Sequence, residues 1–228
     1  MKALIEVHNL WKEYNGKEKV TALKGINLRI NTGEFVVILG PSGSGKTTLL
    51  NCLSGVDRPT RGTVIIHGTD LYTLSEEERT RFRAENMGFV FQFFNLVPVL
   101  TAIENVELPL LILGVNRKEA RERAFEILGK VGLAHKCDRF PEELSGGEKQ
   151  RVAIARAIVH NPKVIWADEP TGALDNETGR MIIDLLMEMK ENSTLVVVTH
   201  DERIAEKADR VIRIRDGQIE QDICEKAL

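Results

Sequence analysis

The sequence predicts an α/β fold: a mostly parallel sheet covered by helices, an antiparallel β layer at the N-terminal end, and an α-helical subdomain inserted into the core. Three observations predict it. Short β-branched runs at Phe35–Leu39, Thr63–His67, Lys163–Asp168 and Thr194–Thr199 end in Gly, Asp or His and alternate with helical stretches, as strands of a buried sheet do when loops gather at their C-terminal edge. Residues Ala3–Leu10 and Ala22–Ile30 instead alternate polar and apolar side chains around Asn15-Gly16, the pattern of half-buried antiparallel strands. From about Thr101 to Leu133 the strand signal fades, and Arg117–Leu128 places Ala120, Ala124, Ile127 and Leu128 on one helical face.

Taken in order, the alternating segments form the front β layer, and Phe35–Leu39 starts the core. The runs at Thr63, Lys163 and Thr194, with the helices after them, read as βα units of the parallel sheet. Residues 1–91 and 160–228 are assigned to this core with its antiparallel layer, and about 92–159 to the helical subdomain. Near the end, Arg210–Ile214 and Gln218–Ile223 flank Asp216-Gly217, a hairpin signal.

Composition narrows the function classes. The 228 residues are 43% hydrophobic and 29% charged, a globular balance, with 31 basic against 34 acidic residues and a net charge of −3. No basic block argues for nucleic acid as the partner. No apolar run reaches the ~18 residues of a membrane helix. The start, Met1-Lys-Ala-Leu-Ile-Glu6, lacks the apolar core of a secretion signal, so a cytoplasmic protein is expected. Cys52, Cys137 and Cys224 are scattered, odd in number and without metal-ligand spacing, which favours reduced thiols of structural or incidental role.

The chemistry concentrates in a few places. After Phe35–Leu39 comes Gly40-Pro41-Ser42-Gly43-Ser44-Gly45-Lys46-Thr47-Thr48, then a helical run: Gly, four residues, Gly-Lys-Thr between strand and helix, the context of a phosphate-binding loop. Its glycines let consecutive N–H groups converge on a phosphate at a helix N-terminus. Lys46 supplies a point charge for the β- and γ-phosphates and Thr47 a hard oxygen for Mg²⁺. The core is therefore that of a P-loop nucleoside triphosphatase. The apolar strand Val164–Ala167 closes on Asp168-Glu169, in which Asp168 is expected to hold the metal and Glu169, diverging from it, to act as general base on an attacking water. Thr194–Thr199 ends in His200, at the sheet edge where α/β proteins bind ligands, in reach of a γ-phosphate.

Leu144-Ser145-Gly146-Gly147-Glu148-Lys149-Gln150-Arg151 resembles the LSGGQ signature of ABC transporter ATPases, and the other motifs fall in the order of that family over nearly the whole chain. Tyr14 resembles its adenine-stacking aromatic, Gln92 in Phe89-Val-Phe-Gln its Q-loop, Asp175 in Ala173-Leu-Asp its D-loop, and His200 its switch histidine. The resemblance implies ATP and Mg²⁺ as cofactors, with Gln92 joining Thr47 and Asp168 at the metal. It also implies a head-to-tail homodimer in which each ATP lies between the phosphate loop of one copy and Ser145, Gly146, Gly147 and Glu148 of the other, with Asp175 coupling the two sites. Glu148 departs from the usual Gln, and its added negative charge is expected to be offset by Lys149 or Arg151.

Phe91–Leu110 and Thr171–Asp175 look like the lipoprotein-releasing and macrolide-export group. That resemblance implies a separate integral membrane permease docking beside Gln92, with Phe93, Phe94, Leu96 and Val97 either an apolar cleft for it or core of the subdomain, and a peripheral place on the cytoplasmic face of the membrane. Two other roles share these motifs: a cell-division type module that signals through a membrane partner, and the ATPase of an importer. A P-loop GTPase is disfavoured because no Asn-Lys-x-Asp occurs, and a DNA-acting cassette because no coiled coil interrupts the chain.

Overall fold

In the computed structural model, residues 3–16, 19–190 and 193–224 are described. Met1 and Lys2 of the N-terminal reading lie outside them. In chain order the elements are β1 (Ala3–Asn15), β2 (Lys19–Asn31), β3 (Phe35–Leu39), α1 (Lys46–Leu53), β4 (Arg61–Ile66), β5 (Thr69–Asp70), α2 (Glu76–Asn86) and β6 (Met87–Phe91). They continue with α3 (Ala102–Ile112), α4 (Arg117–Lys130), α5 (Gly146–Ile158), β7 (Val164–Asp168), α6 (Asn176–Met189), β8 (Thr194–Thr199), α7 (Glu202–Ala205), β9 (Arg210–Arg215) and β10 (Gln218–Cys224). The chain divides into two compact units, residues 1–83 with 194–228, and residues 84–193.

In the first unit, β3 pairs in parallel with β8 on one side and β9 on the other, and β10 returns antiparallel to β9. Every residue of β3 and β8 is buried, which is why β3 reads as an uninterrupted apolar run, and β8 as one between Thr194 and Thr199, rather than as alternating strands. The same unit holds the four-stranded antiparallel layer, in the order β2-β1-β4-β5. One expectation is corrected here. Thr63–His67 is not a strand of the parallel core: β4 pairs antiparallel with β1, Val7 opposite Val64 and Ile5 opposite Ile66. Its burial alternates, with Val64 and Ile66 inside. The chain then turns at His67 and Gly68, both at positive φ, straight into β5, leaving none of the dozen or more residues a parallel crossover needs.

In the second unit β6 and β7 pair in parallel, Phe91 opposite Asp168. The strand β6 follows α2 without a gap, and neither carries a clear sequence signal: α2 has no apolar stripe, and only Ser75 and Glu78, which cap each other, mark its start. Helices α3, α4 and α5 share a core of Ile103, Val106 and Leu110, Ala120, Ala124 and Leu128, and Val152, Ala155 and Val159. The amphipathic face expected of Arg117–Leu128 is the buried face of α4, with Ile127 only partly covered. A capping box between Thr101 and Glu104 starts α3, and the Asn116 side chain caps α4. Strand β6 runs against α5 so closely that a Cβ on Gly88 would lie 2.1 Å from the Ala157 carbonyl oxygen, so only glycine fits there.

Among the described residues no helix is long and apolar enough to cross a membrane, and Cys52, Cys137 and Cys224 are free thiols.

Candidate active site

The phosphate loop leaves the buried end of β3 and enters α1 through Gly45 at φ 100, a conformation that side-chain-bearing residues rarely adopt. A Cβ there would also meet the Ala22 carbonyl oxygen at 2.6 Å. Gly45 caps α1 without any side-chain hydrogen bond, so the first turn keeps its N–H groups directed at the loop. Lys46 is buried and donates to the carbonyls of Gly40 (2.8 Å) and Pro41 (3.0 Å), two bonds for an ammonium with three protons. Pro41, Ser42, Gly43 and Thr47 are exposed and Thr48 half-buried, whereas Ser44 is buried, its Oγ without a hydrogen-bond partner among the described residues. The turn of the C-terminal hairpin braces the loop: Gly217 N–H donates to Ser44 O (3.0 Å), and Lys24 N–H to Gly217 O (2.8 Å). The sequence marks Asp216-Gly217 as a hairpin turn but carries no sign of this second job.

Tyr14 stands at the end of β1 in the same unit, 41% exposed, its hydroxyl donating to Asp57 Oδ2 at 2.7 Å. Lys12 bonds Asp57 Oδ1 at 2.5 Å and holds its ammonium 4.7 Å from the Tyr14 ring centre. Burial opposes ionisation of Asp57, yet the bonds from Lys12 and Tyr14 hold its carboxyl below the usual range. Burial, and the bond to Asp57, push the Tyr14 phenol up, against a lowering influence of Thr48. His200, exposed, follows Thr199, which lies opposite Leu39 in the β3–β8 register, so His200 and Gly40 leave neighbouring strands at the same level.

The second unit repeats this logic at β6 and β7. Gln92 follows Phe91 and Glu169 follows Asp168, and Phe91 and Asp168 are register partners, so the three candidate groups share one strand edge. Glu169 sits at φ 45, the left-handed region that a residue with a side chain enters at a cost of order 1–3 kcal/mol. Its carbonyl accepts from Gly172 N–H at 3.0 Å, closing the turn. Gln92 packs on that turn, since a Cβ on Gly172 would come within 2.8 Å of Gln92 Nε2.

Ser145 caps α5 in a reciprocal box with Glu148: Ser145 N–H donates to Glu148 Oε2 at 2.9 Å, and Glu148 N–H to Ser145 Oγ at 3.4 Å. Gly146 and Gly147 lie against Leu174 and Thr178 of the following loop and helix, where a Cβ on Gly147 would meet Thr178 Cγ2 at 2.7 Å. The expected balance of Glu148 by Lys149 or Arg151 is corrected: Lys136 Nζ bonds Glu148 Oε1 at 2.5 Å. Lys136, with the Ser145 amide, pulls the carboxyl down to about 2. Asp175 caps α6, accepting from the N–H groups of Glu177 and Thr178 and from the Thr178 hydroxyl, and that hydroxyl bond above all holds its carboxyl low.

Two residues that sequence reasoning passed over also touch this region. Gln150, fully buried on α5, donates to Pro170 O (2.6 Å) and Phe91 O (3.4 Å). Its spacing from Ala153, Ile154 and Ala157, which puts a polar side chain on a buried helical face, was the available signal. Arg156 donates to Asn95 O (2.6 Å) and Phe94 O (2.9 Å), holding two residues at positive φ. Of the apolar group after Gln92, Phe93 is 72% exposed, Phe94 and Val97 are half-buried, and Leu96 packs on the helical core.

The sequence profile of the ABC transporter family matches residues 23–172. The chain belongs to the ABC transporter family. Among its relatives, this cassette is 47% identical over 218 residues to an uncharacterized ABC transporter ATP-binding protein, MJ1508, of Methanocaldococcus jannaschii, covering 95% of this chain and 97% of that one. It is 48% identical over 225 residues to the lipoprotein-releasing system ATP-binding protein LolD of Geobacter metallireducens, covering 97% and 100%. Among solved structures, the dimeric post-hydrolysis state of the ATP-binding cassette MJ0796 bound to ADP and Pi superposes with a TM-score of 0.89 at 45% identity, covering 98% of this chain and all of that one (100%). This ABC cassette is an ATP-binding ATPase. The donors expected for the metal are a hydroxyl, a carboxylate and an amide, all oxygen ligands of the kind Mg²⁺ takes.

Proposed function

We propose that this ABC cassette is the ATP-hydrolysing subunit of a lipoprotein-releasing type system, a homodimer that closes head to tail around two ATP and drives a separate integral membrane permease from the cytoplasmic face. Gly40 to Thr48 cradle the phosphates, Lys46 countering the charge of the β- and γ-phosphates, while Tyr14 stacks on adenine. Thr47, Gln92 and Asp168 would hold Mg²⁺, which would neutralise charge on the phosphate oxygens. Glu169 takes a proton from the attacking water, and His200 contacts the γ-phosphate. Ser145, Gly146, Gly147 and Glu148 close on the nucleotide of the other copy, and Asp175 couples the two sites.

The observation that carries this reading is the start of α1, where an uncapped helix N-terminus and a buried, loop-facing lysine with a proton to spare meet in one turn. The likeness to LolD supports the lipoprotein-releasing assignment, and the dimeric likeness supports assembly. The exposed apolar side chains of Phe93 and Val99, the latter 77% exposed, support permease docking beside Gln92. A site built from two copies predicts that turnover per chain rises with protein concentration until the dimer saturates. A rate strictly proportional to concentration throughout that range contradicts it.

A further inference from the structure

Gln150 has no part in the roles assigned above, yet it is fully buried and reaches the backbone on both sides of the reacting groups. Its Nε2 donates at 2.6 Å to the carbonyl of Pro170, immediately after Glu169, and at 3.4 Å to that of Phe91, immediately before Gln92. With two carbonyls facing the amide, the nitrogen must point at them, so the orientation of the side chain is set by chemistry. Its Oε1 is buried and has no hydrogen-bond partner among the described residues, an arrangement a polar side chain kept only for packing would not favour. Pro170 follows a residue held at φ 45, so its carbonyl is the first group after Glu169 that a side chain can grip to fix the direction in which that residue points.

We propose that Gln150 is a positioning residue for hydrolysis: from the signature helix it holds the strand ends that present Gln92 and Glu169, and so aligns the base and the metal-binding amide. The proposal rests on the assignment of Glu169 as base. A shift of about 1 Å in such groups costs about 100-fold in rate. Met matches the length of Gln without its donors. Glu retains the shape, and only its protonated form can donate to the Pro170 carbonyl; burial between two carbonyls raises the pH at which that form persists.

The test measures, in the full-length protein, kcat at saturating Mg-ATP, the Kd for a fluorescent ATP analogue, and the melting temperature, for Gln150→Met, Gln150→Glu and Glu169→Gln. Gln150→Met is expected to lose about 10- to 100-fold in kcat with Kd changed less than about threefold. Gln150→Glu is expected to lose activity at pH 8 and to regain it, relative to wild type, as pH falls to 6, which altered packing alone does not produce. If Gln150→Met folds poorly, the pH profile of Gln150→Glu decides. Wild-type kcat in Gln150→Met, equal losses in kcat and affinity, or a Gln150→Glu profile parallel to wild type overturns the proposal. Wild-type hydrolysis by Glu169→Gln would instead remove the base assignment itself, a separate failure from an inactive Glu169→Gln beside a fully active Gln150→Met.

Discussion

Lys136 and Glu148 form the ion pair at the head of the signature helix, and removing it is expected to loosen that end of α5. The carboxylate accepts from Lys136 at 2.5 Å and from the Ser145 amide at 2.9 Å, with the side chains 30% and 17% exposed. The carboxyl lies at about 2 instead of 4.5. At ~1.36 kcal/mol per pKa unit that difference sets a ceiling of about 3 kcal/mol for all its partners together. Solvent screening of a partly exposed pair reduces the share of Lys136 to about 1 kcal/mol. Because the folded value is depressed, the stabilisation is complete above about pH 4.5 and is lost as pH falls from there towards 2. A double-mutant cycle of Lys136→Met and Glu148→Gln, followed by urea unfolding at pH 7 and pH 3, is expected to give a coupling of about 1 kcal/mol at pH 7 and less than half of it at pH 3. Glu148→Gln keeps the capping box, since Gln serves in that position as Glu does. A coupling below about 0.3 kcal/mol at pH 7, or one that is the same at both pH values, would show that Lys136 does not stabilise the Glu148 carboxylate.

Tyr14→Phe keeps the ring and loses the bond to Asp57, so ATP affinity is expected to change less than about threefold, whereas Tyr14→Ala loses a stacking surface worth ~1–3 kcal/mol, or roughly 5- to 150-fold in Kd. Equal losses in both variants would show that the hydroxyl, not the ring, carries the effect. Iodoacetamide at pH 8, followed by mass spectrometry, is expected to label exposed Cys224 first and Cys52 only on unfolding, because burial pushes the Cys52 thiol up to about 12. Equal labelling rates at these cysteines contradict that environment.

Much of the fold was legible because its strands carry their burial in their composition: β3 is wholly apolar and buried, β8 is apolar between two buried threonines, and β1 and β2 alternate. The strand at Thr63 misled because a short β-branched run looks the same in either kind of sheet, and the deciding fact, a tight turn at His67-Gly68, lies just beyond it. Strand β6 is hard to see in the sequence because it follows a helix with no loop to announce it. In the candidate site, the phosphate loop is local, so spacing along the chain was enough to find it. The bonds from Gln150 and Arg156 were not legible, because their acceptors are backbone carbonyls 20 to 62 residues away, and a carbonyl leaves no mark on residue identity. The Lys136–Glu148 pair crosses 12 residues and competes in sequence with two nearer cations, Lys149 and Arg151.

In the proposed cycle two copies of this chain enclose ATP, and Glu169 lets them separate by hydrolysing it. Light scattering of the Glu169→Gln variant with saturating Mg-ATP measures this most directly. A stable species of twice the chain mass is expected to form with ATP and not with ADP, with hydrolysis nearly abolished. A monomer at saturating ATP, or wild-type turnover in this variant, would contradict it.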